Sequence, residues 1–318
     1  RKRSPKPSSM SSAKLAKLAA DVRDALVAVL WRQWAAVGGG AGATAALAQV
    51  DPEALILGSL ALDHVERRFW VVMRDWLREG SGLLSVQRMG NLSGRFDETV
   101  RQGLGRVAWV AVHDAKDARW RGLAKRVEPP GPEESKRRSA GVSLDQPAAL
   151  VLRLRSAFGV GVKADVLSFL LGRREEAARI ALITRATGYT QPSVFRALRE
   201  LVAARFVLAS RSPPAEYWVR TPRWRSFLGL KGQVPPWRYW TEVTAYSLRF
   251  LEWVESRPAQ HASDYALGVL WRRQVEGDES VFALTGILPK REPLPDSADA
   301  QEWTRLHERL AAWLRAKA

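Results

Sequence analysis

Apolar residues Leu15, Leu18, Val22, Leu26, Val29 and Leu30 recur every three or four positions, which predicts one amphipathic helix from Ala13 to Val37. Asp51-Pro52 sets an N-cap before a proline in the first helical position and opens a helix through about Leu62. Trp70, Met73, Trp76 and Leu77 stripe the next one, Phe69 to about Arg78, which Glu79-Gly80-Ser81-Gly82 ends. A further helical stretch covers roughly Phe96 to His113, so residues 13–128 read as a helical domain. A second helical block, 226–318, opens after Val234-Pro235-Pro236. Trp237, Trp240, Phe250 and Trp253 repeat at helical spacing, and Trp303, Leu306, Leu310 and Trp313 mark a last helix from about Ala298 to Leu314. These aromatic stripes read as core; the lesser alternative has Trp237, Tyr239 and Trp240 lining a ligand or base-stacking pocket.

Between the two blocks the pattern changes. Val166, Leu167, Leu170 and Leu171 stripe a helix ending at Gly172, and Ile180 and Ile183 are the buried positions of a short second helix, about Ala177 to Thr187. Gly188 supplies a sharp turn, Thr190 an N-cap, and Pro192 sits where its missing N–H costs nothing. Val194, Leu198 and Leu201 are the inner face of a third helix to about Ala204. Phe206–Ser210 and Tyr217–Val219 then read as two short strands around Arg211-Ser212-Pro213-Pro214-Ala215-Glu216. The expected order in 147–225 is helix, helix, glycine turn, helix, hairpin. Ahead of it, 129–146 is a Pro-rich basic linker, and 1–12 a disordered basic tail. The expected fold class is therefore mainly α, with a small β-hairpin in the central domain.

Charge sharpens this division. The 318 residues carry 50 Lys+Arg against 33 Asp+Glu, a net +17. Residues 1–17 hold +6, 136–160 hold +4 and 161–225 hold +7, whereas 18–135 and 226–318 each balance to zero. A folded segment biased in this way between neutral neighbours is the electrostatic footprint expected for a polyanion partner.

The run from Thr190 to Val207 (Thr-Gln-Pro-Ser-Val-Phe-Arg-Ala-Leu-Arg-Glu-Leu-Val-Ala-Ala-Arg-Phe-Val) resembles the recognition helix and following strand of bacterial winged-helix repressors of the MarR and ArsR type. The resemblance covers residues 162–219. It implies a DNA-binding winged helix-turn-helix, its third helix in the major groove and its hairpin wing on the backbone. Two departures stand out. Arg205 occupies the place of the family's glycine, so the helix needs a different cap or carries strain. The wing has Arg211 as its only base, two prolines at its tip and Glu216 close by. Thr190, Gln191, Ser193, Arg196 and Arg199 lie off the buried stripe and are the candidates for base contact, Gln pairing with adenine and Arg with guanine. Tyr189 and Arg185, flanking the turn, are candidates for phosphate contact. Arg173 and Arg174, Arg153 and Arg155, and Arg220, Arg223 and Arg225 would add sequence-independent attraction. Phe195, beside the reading face, is expected to pack on the first helix or a partner in preference to a thymine methyl.

Other chemistry is sparse. With no Cys there is no disulfide, thiolate-zinc site, iron–sulfur cluster or thiol nucleophile, and a cytosolic setting is the simple inference. His64, His113, His261 and His307 are isolated from any second metal-ligand partner, and Gly38-Gly39-Gly40-Ala41-Gly42 lacks the Lys-Ser/Thr and βαβ setting of a phosphate loop. The longest uncharged stretch, Gln33 to Val50, is broken by those glycines and does not read as a membrane span. Arg1–Pro7 has no apolar core behind its charges and does not read as a secretory signal, and Met10 is an alternative natural start. The expectation is a non-enzymatic protein without metal or cofactor, cytoplasmic and nucleoid-associated. It would bind double-stranded DNA sequence-specifically as a homodimeric transcriptional regulator. The alternative is an interaction protein of a toxin–antitoxin or phage-defence kind, holding a protein partner through its helical flanks.

Overall fold

Fifteen helices and one antiparallel sheet of three strands make up the computed structural model, which describes residues 12–40, 46–124, 141–256, 262–288, 294–295 and 299–317. With 68% helix against 3% strand, helix packing sets the architecture. Contacts group the described residues into two compact units, one from Leu30 to Thr241, the other from residues up to Val29 with Glu242–Lys317. The boundaries expected near 128 and 226 are not where the contacts divide. Helices before residue 94 share a core with 147–225, and the reason is polar as much as apolar.

In the larger unit, α1 (Ser12–Ala36) contributes Trp34, whose Nε1 donates to Ser59 Oγ at 2.9 Å. Helix α2 (Pro52–Ala61) is capped as expected, Asp51 accepting from the Ala54 N–H, and is buried along nearly its whole length. Trp76 of α3 (Arg68–Gly80) meets Trp34 edge-on at 5.8 Å and donates to the Val37 carbonyl. A 3-10 turn, Ser81–Leu83, and α4 (Val86–Ser93) follow; the latter escapes a periodicity reading because Met89 and Leu92 are its only buried apolar residues. Helix α5 (Glu98–His113), capped by Asp97, and the single turn α6 (Arg121–Ala124) complete this part. Residues 1–11 and 125–140, holding the expected tail and most of the expected linker, lie outside the described residues. At Ser143 the backbone N–H already donates to the Val37 carbonyl at 2.9 Å.

Helices α7 (Leu150–Phe158) and α8 (Val162–Gly172) pack together, and α8 carries α9 (Ile180–Thr187) and α10 (Gln191–Ala203). Strand β1 (Ala178–Arg179) takes the first residues expected for the second helix, because Ala178 and Arg179 pair with Tyr217 and Glu216. With β2 (Leu208–Ala209) and β3 (Glu216–Trp218) it forms a sheet in the order β1-β3-β2. Helix α11 (Thr221–Phe227) follows. Gln49 clips distant chain segments together inside this unit. Its Nε2 donates to the carbonyls of Ser168 (3.0 Å) and Pro235 (2.9 Å), and its Oε1 accepts from Ser168 Oγ at 2.5 Å. Gly172 has no room for a side chain, since a Cβ there would stand 2.5 Å from the Trp237 nitrogen. Trp237, Tyr239 and Trp240 are all buried, as core residues are. Trp237 nevertheless precedes the helix expected to hold it, because α12 runs Trp240–Glu255.

The smaller unit packs Leu15, Leu18, Val22 and Leu26 of α1, the Glu242–Glu255 part of α12, α13 (Asp264–Val275), α14 (Glu279–Thr285) and α15 (Ala300–Lys317). At its centre the ring of His307 lies 4.2 Å from Phe250 and 5.0 Å from Trp271. Its Nδ1 is 2.9 Å from the Trp303 carbonyl, which makes it the protonated nitrogen, and Nε2 is 2.6 Å from the Tyr246 hydroxyl. Burial disfavours the imidazolium and lowers the His307 pKa to about 4. Among the described residues no helix is long and apolar enough to cross a membrane.

The unfolded chain takes up the His307 proton from about pH 6.5 downward, whereas the folded chain resists to about pH 4. Stability should therefore fall as pH drops through this window, by about 3 kcal/mol in all. Urea unfolding of the wild type and His307→Gln between pH 7 and 4 checks this: the variant should lose that part of the slope, and equal slopes would refute the assignment.

Candidate nucleic-acid interface

Five charged side chains meet in the interior of the larger unit. Arg88 of α4 grips Asp51 with both terminal nitrogens (2.6 Å each), reaches Glu53 Oε2 at 2.5 Å and donates from Nε to the Thr187 carbonyl at 2.6 Å. Arg155 of α7 holds Asp165 of α8 through Nε (2.7 Å) and Nη2 (2.8 Å), and meets both oxygens of Glu53 at 2.6 and 2.9 Å. Glu53 also accepts the Ser85 N–H, and the Tyr189 hydroxyl lies 2.9 Å from Asp165 Oδ2 and 3.1 Å from Ser85 Oγ. Burial alone would raise the Glu53 carboxyl, but Arg155 and Arg88 beside it outweigh that and hold its pKa at about 2. The same burial, with the Asp165 charge, pushes the Tyr189 phenol well above its ordinary value.

This network fixes the turn between α9 and α10. Thr187 and Tyr189, on either side of Gly188, are both tied to it. Gly188 closes α9 at φ +72°, and a Cβ there would also stand 2.8 Å from Leu92. Asn91 donates to the Gly188 carbonyl at 3.1 Å. From that fixed turn α10 buries Val194, Ala197, Leu198 and Leu201. Its outer face carries Gln191, Phe195, Arg196 and Arg199, all exposed, with Ser193 half-buried. Thr190 stands at the N-cap as expected, yet its hydroxyl bonds Ser193 Oγ at 2.9 Å and not a backbone N–H. Among the described residues Gln191, Arg196 and Arg199 make no side-chain hydrogen bond or close ion pair; Glu200 pairs with Lys163, and the charges of Arg196 and Arg199 add to the lowering of its pKa.

The structure leaves Gln191, Arg196 and Arg199 exposed along α10, with Thr190 exposed at its N-cap and Ser193 half-buried, and changes the reading of several others. Tyr189 is only 4% exposed and bonded inward, so it is not placed for phosphate contact. Arg155 is a core ion-pair partner and not a surface charge, and Arg153 donates to the Leu228 carbonyl at 2.6 Å. Phe195 is half-exposed on the outer side of α10, at 48%. Arg173 pairs with Glu176, and Arg174 is exposed in a left-handed conformation. Arg185 and Arg211 are exposed. Arg205 adopts φ +60°, so the helix closes in the left-handed conformation without a glycine.

Sequence reasoning missed a cleft of about 390 Å³ lined by Val202, Arg205, Phe206, Arg220, Arg223 and Trp224. Among the described residues no cluster of three or more His, Asp or Glu side chains is arranged to hold a metal ion. No family model matches the chain, and no curated protein or solved structure is detectably similar to it.

Arg88→Met should cost about 3–5 kcal/mol, because it strands Asp51 as a buried charge and leaves Glu53 with Arg155 alone. Tyr189→Phe, which removes one hydrogen-bonding hydroxyl, should cost about 1–2 kcal/mol. Urea titration of both variants measures these losses, and a loss below about 1 kcal/mol for Arg88→Met would contradict the role assigned to the network.

Proposed function

We propose that residues 147–225 form a winged helix that binds double-stranded DNA, with α10 in the major groove, and that the chain is a non-enzymatic transcriptional regulator acting as a homodimer. The order α8, β1, α9, α10, β2, β3 and the sheet order β1-β3-β2 support the winged-helix reading. The observation that carries the DNA reading is the outer face of α10. Gln191, Phe195, Arg196 and Arg199 stand exposed on a helix whose other face is anchored in the core, and no carboxylate forms an ion pair with either arginine among the described residues. A side chain held by its own neighbours has less to offer a base edge; these are available. Basic groups draw in the phosphate backbone, Gln191 and the two arginines read purine edges, and Phe195 lies against a thymine methyl.

The test is selection of the full chain against a random duplex pool at about 50 and about 200 mM salt. An enriched motif is expected, and a palindrome if the dimer reading holds. Salt-sensitive retention with no enrichment would leave a sequence-blind binder, and no retention would refute the proposal.

Two substitutions refine it. Arg196→Ala should cost about 1–3 kcal/mol at one base pair and relax preference there. Replacing thymine by deoxyuracil in the selected site should weaken the wild type and leave Phe195→Ala indifferent. Equal sensitivity of both proteins would remove Phe195 from the reading face.

A further inference from the structure

Three guanidinium groups border the cleft between β2 and α11, those of Arg205, Arg220 and Arg223. None of them makes a hydrogen bond or ion pair among the described residues, and no carboxylate lines the cleft. Glu175, whose Oε1 accepts the Thr221 N–H at 3.0 Å, lies in the neighbouring depression with Arg220 and Arg223 and leaves the cleft itself basic. The wall is aromatic. Phe206 is 41% exposed and meets Trp224 edge-on, their centroids 5.5 Å apart at 70°, with Phe158 packed against both. The open part of Phe206 offers a face on which a flat ring can stack, and three exposed arginines beside it suit an anion.

The backbone adds a second observation. A non-glycine residue at φ +60° costs roughly 1–2 kcal/mol, and Arg205 bears that cost at the point where it lines the cleft. A glycine would close α10 without strain, so the arginine side chain is kept at an energetic loss. Strain of this kind gathers at ligand sites.

We infer that this cleft binds a nucleotide, its base against Phe206 and its phosphate between Arg205, Arg220 and Arg223. The volume, at the lower end for small-molecule sites, suits one base with its sugar and phosphate. The nucleotide comes either from solution or from an unpaired strand end. The assignment does not rest on α10 as a DNA-reading helix, since neither Arg196 nor Arg199 lines the cleft.

The test is anisotropy of a fluorescent adenosine monophosphate titrated with the full chain. Saturable binding is expected, about tenfold weaker or worse in Arg223→Ala and in Arg205→Gly. Arg205→Gly relieves backbone strain, so a melting temperature at or above wild type keeps its loss of binding interpretable. Phe206→Leu should weaken the labelled nucleotide, while inorganic phosphate competes equally with both proteins. Arg196→Ala should leave nucleotide affinity unchanged, which separates this site from the DNA reading. Displacement by a short single-stranded oligonucleotide at lower concentration than by free adenosine monophosphate would identify a strand end as the source; the reverse order would identify the free nucleotide. No saturable binding, or binding indifferent to Arg205→Gly and Arg223→Ala, would overturn the inference. Binding that ignores Phe206→Leu would overturn the place given to the base.

Discussion

The buried pairing of Arg88 and Arg155 with Asp51, Glu53 and Asp165 is the constraint on which the rest of the larger unit depends. Removing five charges from water costs several kcal/mol per ion, so the arrangement persists only because nearly every donor and acceptor is met. Three of the contacts are bidentate, and the one excess carboxylate is offset by the N–H groups of Ser85 and Ala54 and by the Tyr189 hydroxyl. Such a network tolerates little displacement, since a half-satisfied version is worse than an apolar core. It thus gives the α9–α10 turn one position relative to the helices that hold it.

That inward use of acids explains the character of the surface. Residues 161–225 contain five acidic side chains, Asp165, Glu175, Glu176, Glu200 and Glu216. Asp165 is buried, Glu175 holds the Thr221 N–H, and the other three pair with Arg173, Lys163 and Arg179. Each acid is engaged. Arg174, Arg196, Arg199, Arg205, Arg211, Arg220, Arg223 and Arg225 are left with no ion-pair partner among the described residues. Of these, Arg196 and Arg199 stand on the outer face of α10, and Arg205, Arg220 and Arg223 border the cleft beside α11.

How much of this was legible follows from the range of the interactions. Helices with a continuous apolar stripe or a strong cap, α1, α2, α3, α8 and α10, could be read directly, since periodicity and capping are local. Strand β1 could not, because two residues become a strand only when β3 lies beside them. Tyr189 and Arg155 were misplaced for the same reason. A phenol or guanidinium looks like surface chemistry until a distant carboxylate is brought to it, and Asp165 and Glu53 are 24 and 102 residues away from them respectively. The available sign was Glu53 itself, an acid inside an otherwise apolar helix. The outer face of α10 was legible because exposure follows from the buried stripe. The cleft was not, because Arg205 and Arg223 lie 18 positions apart and meet only through tertiary packing.

The Gln49 clip bears on how the chain reaches its native state. One side chain joins carbonyls 119 and 186 residues further along, so it cannot be satisfied until most of the polypeptide is available. Contacts of such separation form late, because loop-closure entropy must be met before they stabilise anything. On a ribosome the first helices must wait for Pro235 to emerge before Gln49 is sealed. The unit containing α10 accordingly matures as a whole, and not before Pro235 is made, with little chance of an early, separately folded recognition element.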